Sequence, residues 1–340
     1  MESKINNEQL KKVSKAGFLQ FVRKSSAPLF FSILCLAGII AAKLDLNFLI
    51  NEIIGRLGRN SFLAISLLIP IMAGLGLNFG IVIGAMAGQI GLIIITHYRM
   101  TGLAGLGMAA LLALPLGVFF GWLTGILLNK AKGREMVTGL ILGFFANGLY
   151  QLLFLVMVGT VIPIKDEVLI LSSGIGVRNT VDLIDVANSL DRALDWIWNG
   201  LVMGEIGPIP VGPWRIPICT LLVTALLCWA VSFLTRTKLG QQMRAVGQDI
   251  QIAEVAGIKV DQVRLIAIII STVLGAWGQI IFLQNIGTMN TYSSHEQVGM
   301  FSIAALLVGG ATTRKATIWN ALVGVLLFHT LFLVSPLAGQ

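Results

Sequence analysis

Three histidines, three cysteines and sixteen carboxylates are the side chains that could carry acid–base, redox or metal chemistry in these 340 residues. His97, His295 and His329 stand singly, without an HExxH pair or other ligand spacing, so they offer no zinc site. Cys35, Cys219 and Cys228 lie within or at the edge of apolar runs, with neither CxxC nor Cys/His spacing, and read as packing residues. No GxxxxGK[ST] loop is present to cradle a nucleotide phosphate. Every Asp and Glu is expected in a loop, a tail or at the edge of an apolar run. A proton- or cation-coupled carrier keeps an ionisable group inside the membrane, and a metal hydrolase needs a ligand cluster. The sequence therefore predicts no catalytic residue, no metal and no fuel of its own.

The polar groups left inside apolar sequence are amides. In AGLGLNFGIVIGAMAGQIG, Ala73 to Gly91, three glycines and Asn78 crowd a point expected at mid-membrane, where a helix should break. Non-helical backbone at that depth persists only where protein or a water-filled cavity satisfies it, and broken helices line transport sites. Asn78 and Gln89 are thus candidates for a translocation path, with ordinary interhelical hydrogen bonding as the other reading. A second interruption, GQIIFLQNIGTMNTYSS from Gly278 to Ser294, adds Gln279, Gln284, Asn285 and Asn290. Two interruptions in the two halves hint at an internal repeat.

The elements that must position these amides are transmembrane helices. Hydrophobic residues make up 56% of the chain and charged ones 12%, and the mean hydropathy is +0.87, far from soluble usage. About 20 apolar residues cross a bilayer, and runs near 25–42, 61–76, 79–97, 103–128, 137–159, 215–234, 264–285, 297–312 and 316–334 qualify. The expectation is one all-α polytopic membrane domain over residues 1–340, with eight to ten spans, some broken or re-entrant. Gly80, Gly84 and Gly88 recur every four residues, as do Gly117, Gly121 and Gly125; small residues at that spacing let helices approach closely.

Charge sets the sides. The formal net charge of +8 lies in short basic loops, which orient spans by the positive-inside rule rather than bind nucleic acid. Residues 1–24 read as a retained cytoplasmic arm, and Asn129 to Arg134 falls on the same side. Residues 160–213 then face outward, with Asp166, Glu167, Asp182, Asp185, Asp191, Asp195 and Glu205 against Lys165, Arg178 and Arg192. Within that segment NTVDLIDVANSLDRALDWIWNGL suggests an amphipathic helix on the membrane surface.

One polar stretch interrupts the apolar sequence on the cytoplasmic side, within residues 235–263: TKLGQQMRAVGQDIQIAEVAGIKV, Thr237 to Val260. Gly240 and Gly247 can begin or end short helices. Ala245, Val246, Ile252, Val255 and Ala256 offer an apolar stripe that could dock in a partner's groove; a solvated loop with a surface helix is the alternative. A protein that moves solute without its own fuel needs such a handle.

The same stretch resembles the cytoplasmic coupling region of bacterial ABC importer permeases of the branched-chain amino acid, ribose and nucleoside class. The matching elements are T-x-LG with Thr237, Leu239 and Gly240, RAVG with Arg244, Ala245, Val246 and Gly247, and A-x-x-AGI with Ala253, Glu254, Ala256 and Gly257. GLNFGIVIGAMAGQ at 76–89, IGPIPVGPWRIP at 206–217 and SIAALLVGGATTRKATIWNALVGVLLF at 302–328 extend the resemblance over most of the chain. LNFG at 77–80, which adds Phe79 to the path candidates, and REMVTGLILGFFANGL at 134–149 are closer to the nucleoside and simple-sugar branch. Leu77 and Asn78 stand where ribose-type members carry glycine and an acidic residue, and TTRKAT replaces a glycine-rich turn after Gly309 and Gly310.

The resemblance implies a multi-pass subunit of the bacterial cytoplasmic (inner) membrane with its N-terminus inside, itself binding no cofactor. It would pair with a second permease, identical or related, inside membrane lipid. Two cytoplasmic ATPases using ATP and Mg2+ would drive it, and an extracytoplasmic binding protein would deliver a small polar solute, a simple sugar or nucleoside. A branched-chain amino acid permease, a self-sufficient secondary carrier or channel, and a membrane enzyme are the alternatives.

Overall fold

The computed structural model describes residues 26–338 apart from 165, 167, 192, 194–209, 212, 213 and 216. The helices run α1 (Ser26–Ala42), α2 (Leu46–Ser66), α3 (Leu68–Met72), α4 (Ile81–His97), α5 (Gly102–Lys130), α6 (Glu135–Leu152), α7 (Ile218–Leu234), α8 (Lys238–Gln248), α9 (Ile250–Val255), α10 (Val260–Ile286), α11 (Ser294–Val308) and α12 (Ile318–Ala338). A π-helical turn, Leu153–Met157, prolongs α6. The protein is an all-α polytopic membrane protein. Among the described residues α5, α6 with its π turn, α10 and α12 are long and apolar enough to cross a bilayer, and the bent pair α7–α8 makes a fifth candidate. The helices α1 and α4 are apolar but shorter.

The centre of the bundle is α10, against which α4 and α5 pack. Both glycine series close on it. A Cβ at Gly84 or Gly88 would collide with the carbonyl oxygens of Thr272 and Ala276, and one at Gly121 would stand 2.8 Å from the Cα of Ile269. Gly117 and Gly125 face Val273 and Leu265 of the same helix, whereas Gly80 faces Asn78 and Thr124. In lipid, helix association draws on close packing rather than on hydrophobic transfer, so bare backbone at these contacts is what holds the three helices together. The outward faces of α6 and α7 carry exposed Phe144, Phe145, Trp229 and Phe233, apolar surface suited to lipid or a membrane partner.

Two breaks interrupt the helices. The first spans Ala73 to Gly80 between α3 and α4, with Gly74 and Gly76 at φ of 73° and 71°. It abuts α8: Gly74 lies against Gly247, and Gly76 against Met136 and the carbonyl of Thr313. The second break begins later than expected, because α10 stays helical through Gly278 and ends only at left-handed Gly287, φ 79°. The chain then forms β4 (Thr288–Asn290), paired antiparallel with β1 (Thr180–Asp182), with Val181 opposite Met289.

That pairing also replaces the first part of the expected amphipathic helix. Residues 180–182 are strand and Ile184–Val186 a 3-10 turn; the apolar alternation there has the period of two that buries Val181 in a strand. The remainder of that helix from 194, like the 1–24 arm, lies outside the described residues. A further hairpin pairs β2 (Pro210–Val211) with β3 (Trp214–Arg215) just before α7.

Candidate functional site

The polar handle folds as two capped helices. The Thr237 hydroxyl accepts from Gly240 N at 3.3 Å to start α8, and Asp249 accepts from Gln251 N and Ile252 N at 2.8 and 3.0 Å to start α9. Each cap satisfies backbone donors that the first turn leaves free. The chain turns 76° between α7 and α8. Gly240 is needed at that corner because a Cβ there would collide with the Leu234 carbonyl. Arg244 is exposed and donates to the Thr235 carbonyl, closing the same corner.

The expected single stripe is divided between two faces. Met243 and Val246 of α8 are buried against the membrane core, as is Ala253 of α9, with Leu239 partly buried beside them and Ala245 half-buried. By contrast Ile252 is 69% and Val255 91% exposed, with Ala256 exposed beside them and Gly257, φ 79°, ending the helix. The Asp249 cap re-aims the chain between the two helices, which a linear stripe does not anticipate.

The loop Ala131–Arg134 reaches the same surface. The Lys132 ammonium lies 2.9 Å from Asp261 and 3.6 Å from Glu254, and the Asp261 hydrogen bond holds it above the usual lysine range. Just inside, the fully buried Arg264 guanidinium pairs with Glu135 at the start of α6.

Apart from Gln279, the amide candidates separate into three places. Asn78 is buried in the first break; its Oδ1 accepts from Gly80 N at 3.0 Å and its Nδ2 has no partner. Gln284 and Asn285 sit at the C-terminal end of α10. Gln284 Oε1 accepts from Leu190 N at 3.3 Å, while Asn285 donates to Asp191 at 3.0 Å and accepts from Arg59 at 3.1 Å. Thr220 of α7 also donates to Asp191, so these groups moor the Leu190–Asp191 segment to α2, α7 and α10. Gln279 is fully buried, faces Gly88 and has neither side-chain polar atom paired.

Gln89 and Asn290 meet at the third place, in the middle of α4. Gln89 Nε2 donates to the Asn290 carbonyl at 3.3 Å, and its Oε1 faces His295 Nδ1 at 2.8 Å. His295 Nε2 faces Asn147 Oδ1 of α6 at 3.0 Å, and Asn147 Nδ2 donates to Glu296. The Asn290 side chain caps the turn into α11, accepting from Tyr292 N and Ser293 N at 3.2 and 3.1 Å. The Tyr150 ring lies against the His295 imidazole, 5.0 Å between centroids.

His295, Asn147 and Glu296 were not among the sequence candidates. Their signal was present, an amide within the apolar FFANGLY and a His–Glu pair directly after the second interruption, but nothing local joined them. Glu296 stands in the first turn of α11, at the edge of an apolar run, and β4 brings that turn against the middle of α4. Phe79, at the end of the first break, lines a cavity of about 90 Å3 together with Glu296, Gly143, Phe144, Gly299 and Met300. Among the described residues no cluster of His, Cys, Asp and Glu suited to a metal is found.

Residues 49–340 match the family described as the permease component of the branched-chain amino acid transport system. The chain is also 30% identical over 149 residues to the nucleoside ABC transporter permease protein NupC of Lactococcus lactis subsp. cremoris, a match covering 42% of this chain and 44% of that relative. The chain thus spans less than half the length of that curated relative. No solved structure matches it. A family match across all but the first 48 residues, on an apolar helical bundle, makes the chain a member of the branched-chain amino acid transport system permease family.

Proposed function

We propose that the chain is the membrane subunit of an ATP-driven importer that takes up a nucleoside or simple sugar handed over by an extracytoplasmic binding protein. The observation that carries this reading is the pair Ile252 and Val255, 69% and 91% exposed on a polar surface helix. Apolar side chains so presented lose free energy in water and gain it in a partner's groove. The helix beneath them, α8, rests on the break that leads to Phe79, so a push on this surface reaches the interior. Family membership supports an ATPase as the partner, and the NupC similarity supports a nucleoside.

In this reading α8 and α9 are cytoplasmic, with the N-terminus on the same side in the bacterial inner membrane. Eight to ten spans result when α1, α4, the α2–α3 unit and the short α11 are counted with the longer helices. A second permease, identical or related, covers the apolar face of α6. ATP and Mg2+ are used by the ATPase subunits and not by this chain. The family description favours a second solute, a branched-chain amino acid.

Reconstitution tests the reading. Uptake into proteoliposomes should require an ATPase subunit, a binding protein and ATP together. Uptake by the purified chain alone would overturn it in favour of a self-sufficient carrier.

A further inference from the structure

The cavity beside Phe79 combines two chemistries that seldom meet inside a membrane protein. Its walls are aromatic and aliphatic, from Phe79, Phe144 and Met300, with Gly143 and Gly299 leaving room between them. Among the described residues lining it, Glu296 alone is ionisable. A binding pocket of this kind takes its affinity from apolar contact and its orientation from a few fixed polar groups.

Glu296 is fixed by a buried chain. The Gln89 amide is oriented by its bond to the Asn290 carbonyl, so its Oε1 faces His295 and makes Nδ1 a donor. The other ring nitrogen faces Asn147 Oδ1, and Asn147 Nδ2 reaches Glu296. Both ring nitrogens therefore face amide oxygens. The Asn147 bond occupies one Glu296 oxygen and leaves the other for a ligand.

We propose that Glu296, positioned by Asn147 and His295, recognises the vicinal hydroxyls of a nucleoside sugar while the Phe79 and Phe144 rings contact its base. This rests on the nucleoside reading above and assigns it a site. A carboxylate accepts two hydroxyl donors through charge-assisted hydrogen bonds. Aromatic faces accept any base by stacking. The cavity, about 90 Å3, is below the several hundred Å3 of a filled ligand site. It is open on the side of the exposed Phe144 and Met300, and movement of Phe79, near the end of the Ala73–Gly80 break that abuts Gly247 of α8, would enlarge it.

The test uses the whole importer in proteoliposomes and compares uptake of adenosine with 2′,3′-dideoxyadenosine, which lacks the hydroxyl pair. Each solute's affinity for the binding protein alone is measured and divided out. Wild type should prefer adenosine by about tenfold or more, the worth of one such hydrogen bond. Glu296→Gln should lose most of that preference by slowing adenosine, with dideoxyadenosine little changed, and Asn147→Leu should do so partly. Size-exclusion recovery of the intact complex confirms folding, and Glu296→Gln keeps the shape should Glu296→Ala fail to assemble. An adenosine preference unaltered in assembled Glu296→Gln, or equal slowing of both solutes, overturns the site while leaving the nucleoside reading intact. A wild-type importer that moves leucine or ribose but no nucleoside overturns both.

Discussion

Gly74 and Gly247 meet backbone to backbone: a Cβ placed on Gly74 would stand 3.1 Å from the Gly247 Cα, and one placed on Gly247 would collide with the Met72 carbonyl. Helix α8 thereby rests on the break that leads to Phe79, with no side chain to cushion the contact. In the proposed importer a displacement of α8 would pass directly to that loop.

A single methyl at this contact should therefore disturb transmission. Gly247→Ala is expected to lower ATP-driven uptake about tenfold, the effect of a kcal/mol or two of overpacking, while ATP hydrolysis by the assembled complex continues. Parallel measurement of uptake and hydrolysis checks it, and a proportional loss of both would point to misassembly instead.

The exposed pair on α9 makes a separate prediction. Burying Val255 or Ile252 against a partner is worth about 1.5–3 kcal/mol each, so Val255→Asp should weaken binding of the ATPase subunit at least about tenfold. The melting temperature of the isolated permease should hold, because the side chain is 91% exposed. Co-purification of the ATPase with the variant reads the first outcome and thermal denaturation the second.

The buried pair of Arg264 and Glu135 should behave in the opposite way. Glu135→Leu strips the partner from a guanidinium with no solvent exposure, and is expected to cost about 3–5 kcal/mol. Adding Arg264→Met should restore most of the loss, since an apolar pair of similar volume replaces a desolvated ion pair at little cost. Melting temperatures of the single and double variants in detergent decide this.

Asp191 supplies a pH signature. Burial pushes its carboxyl above the ordinary aspartate range, against the opposing hydrogen bonds from Thr220 and Asn285. The folded protein then holds this proton more tightly than the unfolded chain does. Its contribution to stability is complete below the ordinary aspartate range and is lost as pH rises through the raised value. The melting temperature of wild type relative to Asp191→Asn should fall as pH rises above the ordinary aspartate range, about 4; a constant difference would overturn the assignment.

The sequence by itself determined the membrane setting, the helical class, the places where helices can run and the polar handle. These are properties of consecutive residues: hydropathy over one span, glycine spacing along one helix face, and Gly240 and Gly247 where short helices can begin or end. Even the first break was legible in AGLGLNFG, although its packing partner was not, because that is α8 from far along the chain. Tertiary structure alone decided that both glycine series close on α10, that Gln284 and Asn285 moor the Leu190–Asp191 segment, and that Gln89, Asn147, His295 and Glu296 form one hydrogen-bonded cluster. The members of that cluster come from three helices widely separated in sequence. Only the inward turn of β4 into α11 carries His295 and Glu296 to the middle of α4, where low dielectric makes unpaired polar groups costly and so drives them together.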